Sequence, residues 1–446
     1  WTLGFDKLAE RVRDYSPERV EAITWIPKEA IVEAARTFAT TKPSSIIQAA
    51  SIEQNINPIA TCRAIALLSA ITGNLDVPGG NVFPTNAGQM STGSMEFTLD
   101  LTLEEKIWRK RLGANQYPLI SHPIGLVPPI AHVPSLWRAL HDKTSPIRAS
   151  FFLACNPLNT LANSNLIREA LMRIDFSVAV DLFMTETASL ADVVLPAATW
   201  LERNELADSF QATPSHLRLR QKIIEIQECW SDTKIILELA RRLSLDHLFW
   251  ESEETLLDYL LNPIGLSFGK LREMGGVVNV PMRYRKYEKE GFKTPSGKVE
   301  VWSSVLERYG YDPLPGHVDS GNEPTSEYPL ILVTGRRARG YFHSEGRNIP
   351  SLRRLVPEPE LDIHPETAKN YGVSHGAGAY VKTRLGKIGM KANVTRKTHP
   401  RVVHVPHGWS GDANVNRIID DGVCSPDTGT VPLRGMPCAI ENMTSA

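Results

Sequence analysis

The sequence has few cysteines and no close group of them. Its 446 residues include five cysteines, which are widely spaced, with no C-x-x-C pair and no cluster with histidine. This spacing argues against the common zinc and iron–sulfur ligand patterns. A long chain with few cysteines also favours buried or free thiols over a disulfide framework.

The sequence also lacks an excess of charge of either sign and any long apolar run. Lysine and arginine number 49, against 50 aspartate and glutamate residues. This balance gives no reason to expect nucleic acid or a membrane surface as a partner. No apolar run reaches the roughly 18 residues of a membrane-spanning helix. We therefore predict no nucleic-acid partner and no direct membrane span.

The common signatures of catalytic sites are missing as well. There is no G-x-S-x-G, H-E-x-x-H or G-x-x-x-x-G-K-[ST] motif, which argues against the usual serine hydrolase, zinc protease and P-loop patterns. The first residues, WTLGFDKLAERV, contain neither an initiator methionine nor a signal-peptide pattern. We therefore expect the chain to begin within a fold whose earlier part lies upstream of Trp1.

Residues 1–90 predict one helix–strand–helix unit. A short apolar run at Ser45–Ala49 predicts the strand, and helical spacing predicts the second helix over Ile59–Ile71. Gln54 and Asn55 follow the strand, so we place them at its carboxyl edge. One such unit is too small for a doubly wound domain, and we expect the remainder upstream.

The stretch from Ser150 to Arg203 predicts a central α/β unit. Apolar runs at Ser150–Ala154 and Phe176–Val180 predict two buried parallel strands joined by a helix. Asn156 follows the first strand and Asp181 is delivered by the second, and ligands bind at the carboxyl ends of strands in open α/β folds. Two interpretations stay open, a nucleotide crevice or a pair of polar surface turns.

Asp181 supports a more specific hypothesis. Guanine presents two adjacent donors, its N1–H and its exocyclic amine, which one carboxylate can accept together. The alternative is a turn cap at Thr185, and for Asp192 a structural role in fixing the same loop is favoured.

Beyond the central unit the pattern changes. Ser231 predicts the cap of a helix. The glycine- and proline-rich residues 262–325 predict a connector around a hairpin-like stretch at Lys293–Ser303. From Tyr328, short strands with period two predict a compact β-barrel, and Lys387–Thr395 alternates most clearly. The apolar stripe of the helix after Ser231 is predicted to consist of Ile235, Ile236, Leu239 and Leu243.

Six arginines lie within 19 residues of this otherwise neutral chain. Arginine presents a planar fork that matches phosphate oxygens, whereas a solvated face uses lysine equally well. Gly335 would allow close approach of a ligand, and His343 and Ser344 add donors. We predict a phosphate or pyrophosphate ligand, with a solvated loop as the alternative. The six are Arg336, Arg337, Arg339, Arg347, Arg353 and Arg354.

Several motifs follow one another along the chain: ITGNLDVPGGN, NPLNT, DLFMTETASLADVVLPAATWLER, TPSGKVEVWS, TGRRARGYFHSEGRNIPSLR, HPETAKNYG and VPHGWSGDANVNR. Together they resemble the large subunits of the dimethyl sulfoxide reductase family of molybdenum and tungsten enzymes. The resemblance implies an α/β fold with two Rossmann-like domains, the first incomplete, and a C-terminal six-stranded double-psi-type β-barrel.

The resemblance also implies the division of the chain into five segments. These are a partial α/β cofactor-binding domain (1–90), an insertion or linker (91–145), a second α/β domain that binds a guanine dinucleotide (146–261), a connector (262–325) and the barrel, which binds molybdopterin dinucleotide (326–446).

The implied cofactor is a pair of molybdopterin guanine dinucleotides that hold molybdenum or tungsten. The resemblance implies that Asn156, Asp181 and Thr185 hold the guanosine end of one dinucleotide and that Gln54 and Asn55 approach the other. It implies contacts with pterin or phosphate for Arg336, His343, Ser344, His407 and Asn416. The remaining implied cofactor contacts are Pro157, Phe183, Asp192, Gly335 and Arg347.

The chain departs from the family pattern at its start. Members usually begin with an iron–sulfur domain, followed by the residue that ligates the metal, and both are absent here. The predicted partners are therefore the missing N-terminal portion or a companion chain with a 4Fe–4S cluster, an iron–sulfur electron-transfer subunit and a small-molecule substrate. The C-terminal pattern suggests the branch with formate dehydrogenase-like, polysulfide reductase-like and acetylene hydratase-like proteins.

The resemblance implies an oxidoreductase that transfers two electrons or an oxygen atom in a prokaryotic cytoplasm or periplasm. We expect the isolated chain to be inactive. The alternatives are a non-redox hydratase on the same scaffold and a cofactor-binding module without catalysis.

Overall fold

A computed structural model describes residues 1–83, 104–121, 131–207, 216–226, 228–319, 321–335, 340 and 342–443 of the chain. Its N-terminal region consists mainly of helices. The helix Pro58–Ile71 has proline in its first turn and is followed by Gly73 in the left-handed conformation, with a φ of 69°. The elements are β1 (Thr2–Leu3), α1 (Phe5–Arg11), α2 (Pro17–Thr24), α3 (Lys28–Thr40), α4 (Ala50–Glu53) and α5 (Pro58–Ile71).

The predicted strand at Ser45–Ala49 is wrong. The segment is not part of any sheet that the described residues form. Instead, the side-chain amide of Asn81 donates to the carbonyl of Ile46 at 2.8 Å and accepts from its N–H at 3.0 Å. Ile47 is 96% exposed. A strand needs a neighbouring strand to hydrogen-bond its backbone groups. Here the Asn81 side chain takes that place for Ile46 alone.

The central region is built on a parallel sheet of three strands, β2, β3 and β4. Both predicted strands are present, with bounds that differ by one residue. Trp137 and Leu140, from a helix in the predicted insertion, pack with Leu158, Ile167 and Ala170 under this sheet. The elements are α6 (Glu105–Trp108), α7 (Val133–His141), β2 (Ala149–Leu153), α8 (Pro157–Thr160), α9 (Ser164–Leu171), β3 (Phe176–Asp181) and β4 (Val193–Pro196).

The region that follows contains an antiparallel sheet, β5–β6–β7. Leu217, Leu261 and Leu271 form its core and are fully buried. The elements are β5 (Glu205–Ala207), β6 (His216–Arg220), α10 (Asp232–Arg242), α11 (Glu253–Leu261), α12 (Phe268–Glu273), β7 (Val277–Asn279), α13 (Tyr287–Glu290), β8 (Val299–Glu300) and α14 (Ser304–Arg308).

Helix α10 confirms its predicted cap but not its predicted core face. The Ser231 hydroxyl accepts from the N–H of Lys234 at 3.0 Å. The buried side chains are Ile235, Leu237 and Ala240, whereas Ile236, Leu239 and Leu243 are exposed. Spacing shows which residues share a face of a helix, but the packing partner decides which face is covered.

The hairpin-like stretch within Lys293–Ser303 does contain a turn, in which the N–H of Gly297 donates to the carbonyl of Thr294 at 3.1 Å, but its strand pairs with a distant segment. Strand β8 pairs in parallel with β1, so that Val299 lies opposite Thr2. Arg63 of α5 fixes this region further, because its guanidinium donates to the carbonyls of Glu300, Val301 and Pro313. The second half of the predicted connector is therefore packed against the N-terminal helices.

The C-terminal region is a closed barrel of six strands in the order β10-β12-β11-β14-β9-β13, which confirms the predicted barrel. Alternating burial of Ile388, Met390 and Ala392 along β12 fills its core. Strands β10 and β14 were not predicted. The elements are β9 (Leu330–Thr334), α15 (Pro350–Arg353), β10 (Glu360–Ile363), α16 (Pro365–Asn370), β11 (Gly378–Thr383), β12 (Gly386–Val394), β13 (Val402–Val405) and β14 (Arg434–Asn442).

The topology of the barrel brings three chain segments to one end. Strands β9 and β13 are parallel neighbours, so the loops that follow Thr334 and Val405 leave the barrel on the same side. Strand β14 is antiparallel to β9 and begins at the same end, with Arg434 opposite Val333. Helices in the described part of the chain are all too short or too polar to cross a membrane.

Candidate functional site

The candidate site lies at the carboxyl edge of the sheet β2–β3–β4. Leu153 lies opposite Val180 in the parallel register, and the N–H of Ala154 donates to the carbonyl of Val180 at 3.0 Å. Asn156 therefore follows β2 at the edge where β3 ends in Asp181. The structure thus brings together the two residues that the sequence placed at one crevice.

The carboxylate of Asp181 is held through one of its oxygens. Its Oδ1 accepts from the N–H of Leu182 at 2.7 Å and from that of Phe183 at 3.3 Å. In the described chain no group donates to Oδ2. The turn therefore orients the carboxylate and leaves one charged acceptor for another donor.

The loop after Asp181 is apolar and exposed at its tip. Leu182, Phe183 and Met184 are each more than half exposed. Thr185 closes the loop, because its hydroxyl accepts from the N–H of Ala188 at 3.2 Å. Thr185 thus has the capping role that was the structural alternative.

Asn156 is fixed by the same loop. Its Oδ1 accepts from the hydroxyl of Thr187 at 2.8 Å, and the Thr187 hydroxyl in turn accepts from the N–H of Leu158 at 3.4 Å. Pro157 begins helix α8 and is buried. Burial and the negative charge of Asp181 raise the pKa of the neighbouring Cys155 thiol.

Asp192 lies at the opposite edge, which corrects its predicted place among the cofactor contacts. Its Oδ2 accepts from the N–H of Ser177 at 2.7 Å and from the Ser177 hydroxyl at 3.1 Å. Both residues stand at the amino ends of β3 and β4. The carboxylate fixes the sheet there and does not reach the crevice of Asp181.

Two loops at one end of the barrel meet through a pair of histidines. Nδ1 of His343, from the loop after β9, contacts Nε2 of His407, which follows β13. Their ring centroids lie 4.2 Å apart. His343 adopts a φ of 50°, an uncommon conformation for a residue with a side chain. The predicted site residues His343 and His407 are therefore in direct contact.

Arg347 ties these loops together. It donates to the carbonyl of His343 at 3.2 Å and to that of Gly408, and its guanidinium lies 4.2 Å from the centroid of the Trp409 ring. Ser344 also lies at this contact, since its backbone nitrogen is 3.3 Å from where a Cβ on Gly408 would lie. Arg353 and Arg354, at and just after α15, are exposed. Arg336, Arg337 and Arg339 lie outside the described residues.

The barrel loops and the edge of the sheet form one continuous surface. The amide of Asn159 donates to the carbonyl of Gly408 at 3.2 Å, and Glu186 accepts from the N–H of Gly411. Asn416 is 4% exposed and donates to the carbonyl of Asn159 at 2.8 Å. The structure gives Asn416 a packing role at this seam, and its contact with a ligand stays a prediction.

Gln54 and Asn55 lie at another part of the same barrel end. The N–H of Leu433 donates to the carbonyl of Gln54 at 3.3 Å, and Arg434 donates to its Oε1 at 3.3 Å. Asn55 uses its own Oδ1 locally, accepting from the N–H of Asn57 at 2.8 Å. Sequence reasoning missed Arg434. The sequence feature that could have drawn attention to Arg434 is a basic residue followed by glycine, just before the alternating apolar residues Met436, Cys438 and Ile440.

The described residues contain no group of three histidine, cysteine or acidic side chains placed to hold a metal ion. The polar groups at the site are instead carboxylate, amide, imidazole and guanidinium groups on the edge of the sheet and on the barrel loops. Such groups bind the base and phosphates of a nucleotide.

Comparison with known proteins agrees with this chemistry. Residues 29–242 match the molybdopterin oxidoreductase family, and residues 330–437 match the molydopterin dinucleotide binding domain. The chain belongs to the dimethyl sulfoxide reductase family of molybdopterin enzymes. The second match covers the barrel, and the first covers the α/β sheet with Asn156 and Asp181. The binding domain indicates a molybdopterin cofactor.

Relatives within this family include enzymes of different chemistry. The chain is 31% identical to acetylene hydratase of Syntrophotalea acetylenica, over 92% of this chain and 59% of that protein. It is 27% identical to formate dehydrogenase H of Escherichia coli, over 92% of this chain and 57% of that protein. The solved structure of acetylene hydratase from Pelobacter acetylenicus matches 99% of this chain and 67% of its own, with a TM-score of 0.88 and 29% identity. This chain thus spans less than three fifths of the length of either curated relative.

Proposed function

We propose that this chain is the C-terminal part of the large subunit of an oxidoreductase that uses molybdenum or tungsten held by two molybdopterin guanine dinucleotides. The reaction would transfer two electrons or an oxygen atom to or from a small substrate. The observation that carries the proposal is the continuous surface between Asp181 at the edge of the sheet and the His343–His407 loops of the barrel. When bound, the cofactor would supply the redox chemistry.

The guanine end of one dinucleotide would lie against Asp181. Its carboxylate is oriented by two backbone N–H groups and has Oδ2 open. A carboxylate in this position accepts the adjacent donors of guanine, which adenine lacks. Phe183, two residues further along the chain, is exposed, and its ring would offer an apolar face on which the base could stack. Asn156, fixed through Thr187, would hold the same nucleoside.

The phosphate and pterin portions would lie along the barrel loops. Arg347 bridges the backbones of His343 and Gly408, so the loops hold a cation and two imidazoles on one surface. These groups donate hydrogen bonds to phosphate oxygens and to the polar edges of a pterin. Gly335, Arg336, Ser344 and His407 belong to this part of the proposal, while Gln54 and Asn55 would approach the second dinucleotide.

A further portion, upstream or in a companion chain, would cover the N-terminal region. None of residues 1–57 is buried, although they include the four helices α1 to α4 and the segment at Ile47. An open groove of 530 Å³ runs along α3, with Ala34, Thr37 and Phe38 in its wall. Exposed apolar side chains in this region, among them Ile26 and Ile47, favour a surface that another chain segment covers. The missing portion would carry the metal ligand and a 4Fe–4S cluster, and an iron–sulfur subunit would exchange electrons with it.

A hydratase on the same scaffold is the second candidate. It is favoured by the relative with 31% identity and by the solved structure with a TM-score of 0.88, both of which are acetylene hydratases. The third candidate is a cofactor-binding module without catalysis. Activity assays of the complete native protein separate the three. An oxidoreductase turns over with a redox dye, a hydratase adds water without one, and a module does neither.

Cofactor content of the native protein tests the proposal. Acid treatment should release GMP, and elemental analysis should find molybdenum or tungsten, with two GMP for each metal. An active native protein that contains neither GMP nor either metal contradicts the proposal. The chain alone should show little turnover, and robust activity without a companion would show that the metal ligand is not upstream.

A further inference from the structure

The chain between Glu366 and Asp412 contains no acidic residue but eight lysines and arginines, although the two charges are balanced over the whole sequence. Four of these cations form ion pairs with acids of other segments: Lys382, Arg384, Lys387 and Lys391. Three others lie on residues 396–401 between β12 and β13, which we call the basic loop, and within the described ranges they form no ion pair: Arg396, Lys397 and Arg401. The basic loop therefore keeps its positive charge.

Trp25, which ends helix α2, packs on the basic loop. Its ring stacks on that of His399, with the centroids 4.7 Å and the planes 23° apart, and the Arg401 guanidinium lies 4.8 Å from its centroid. Trp25 has a φ of 61°, a conformation in which helices commonly end with glycine and which is rare for a bulky residue. The structure thus keeps a large ring, 43% exposed, where the backbone favours glycine.

The side chains of this surface donate hydrogen bonds and supply no charged acceptor. Nδ1 of His399 accepts from the N–H of Arg401 at 3.1 Å, so the proton of the neutral imidazole is on Nε2. Among the residues that the structure describes, no group accepts from this Nε2–H or from the indole N–H of Trp25. Two donors and three cations without acceptors suit a ligand that carries carboxylates.

The basic loop lies at the end of the barrel opposite the candidate site. The carbonyl of Arg401 accepts from the N–H of Ile331 at 2.9 Å, where the parallel strands β9 and β13 begin. The loops that carry His343 and His407 instead follow the other ends of these two strands. A ligand on the basic loop would therefore be separate from the dinucleotides of the proposed function.

We propose that Trp25 and the basic loop form a docking surface for an acidic segment of a partner protein, one that also carries an aromatic side chain. Tryptophan and arginine are enriched among the residues that dominate protein interfaces, and complementary charge steers such partners together. An anionic membrane fits less well, because the clusters that bind one carry about four to eight lysines and arginines, and the basic loop has three.

Fluorescence anisotropy of a labelled glutamate–tyrosine copolymer, titrated with the full 446-residue chain, tests this surface. The double substitution Arg396→Gln/Lys397→Gln should weaken binding by about fivefold, since it removes two exposed ion pairs with the copolymer. Trp25→Ala should weaken binding by about tenfold or more, because it removes the aromatic anchor. Binding should also weaken as the salt concentration rises.

Lys387→Gln/Lys391→Gln is the matched control. It removes the same net charge from the same acid-free stretch, but at cations that already pair with Glu441 and Glu358. Its affinity for the copolymer should stay within about twofold of the wild type. Thermal melting of each variant checks folding, and the substitutions on the exposed basic loop decide the test if Trp25→Ala does not fold.

Three results would overturn the docking surface. The wild-type chain fails to bind the copolymer, or the two double variants lose affinity equally, which would show that only the overall charge matters. In the third result, the chain binds phosphatidylserine vesicles through the basic loop but does not bind the copolymer, which would identify a membrane surface instead. The content of GMP and metal is measured separately on native protein, so the docking surface and the proposed function can fail independently.

Discussion

Replacing Asp181 with asparagine removes the charge at the edge of the sheet and preserves the turn. The backbone N–H groups of Leu182 and Phe183 donate to Oδ1 at 2.7 and 3.3 Å, and the asparagine oxygen can accept both. The open Oδ2 becomes an NH₂ group, which is a donor. Guanine directs two donors toward this point, so an accepting contact becomes a repulsive one.

The expected loss follows from one charge-assisted hydrogen bond. Such a bond contributes about 1.5–3 kcal/mol, which corresponds to about a 10- to 150-fold increase in the Kd for GMP. Inosine monophosphate lacks the exocyclic amine. The wild-type chain should therefore prefer GMP over it by about tenfold, and Asp181→Asn should show little preference.

Titration of the chain with each nucleotide measures both effects. Asp175→Asn is the control, because Asp175 immediately precedes the amino end of the same strand and its carboxylate pairs with exposed Arg148. Stability should change by less than about 0.5 kcal/mol in Asp181→Asn, as for most surface substitutions. Equal affinity for GMP in wild type and Asp181→Asn, with both proteins folded, would refute the role of Asp181.

Three further predictions concern other parts of the molecule. The Lys286 ammonium lies 2.8 Å from the carboxylate of Asp76, whose side chain is 0% exposed. Lys286→Met leaves this buried carboxylate without its cation and should lower the free energy of unfolding, measured in urea titrations, by about 3–5 kcal/mol. A loss below about 1 kcal/mol would contradict this prediction. Burial lowers the pKa of His132, whose Nε2 lies 2.8 Å from the Gly429 carbonyl. The stability that neutral His132 contributes should therefore be present above the ordinary histidine pKa of 6.5 and be lost as the pH falls below it. In denaturant titrations at a series of pH values, His132→Gln should make the free energy of unfolding depend less on pH in this range. An unchanged dependence on pH would argue against this role. Ile47→Asp should leave the melting temperature unchanged, since Ile47 is 96% exposed, but should reduce the amount of the separately expressed upstream portion that co-purifies with the chain. Equal amounts with wild type and variant would show that the upstream portion does not cover this segment.

The barrel could be predicted because its pattern is local. Along Gly386–Val394 the residues Ile388, Met390 and Ala392 alternate with polar neighbours, and the structure buries all three. Strand β14 escaped prediction because Gly435 and Pro437 both weaken a strand pattern, although a bulge accommodates the glycine.

Pairing between distant segments could not be predicted from local pattern. Val299–Glu300 pairs with Thr2–Leu3 at the far end of the chain, and nothing in the hairpin-like sequence names that partner. Ser45–Ala49 has the composition of a strand, but no strand pairs with it in the described part of the molecule. Composition predicts the tendency to extend, while a sheet requires a second chain segment.

The sequence predicts the position of a site residue where that residue directly follows a parallel strand. It does not do so where the chain returns to the other edge of the sheet or leaves regular alternation. Asn156 and Asp181 each end a strand, so a parallel sheet places them together. Asp192 is close to Thr185 in sequence, but the chain returns to the amino edge before β4 begins. Arg434 depends on a bulge that reverses its side, which no simple alternation of sequence can show.

The measurement that tests the central claim most directly is an experimental structure of the native protein with its cofactor. We expect a guanine ring with its N1–H and exocyclic amine within about 3.2 Å of the Asp181 carboxylate, and phosphates directed to the barrel loops. A guanine bound elsewhere, or a cofactor without guanine, would contradict the assignment of this edge as the dinucleotide site.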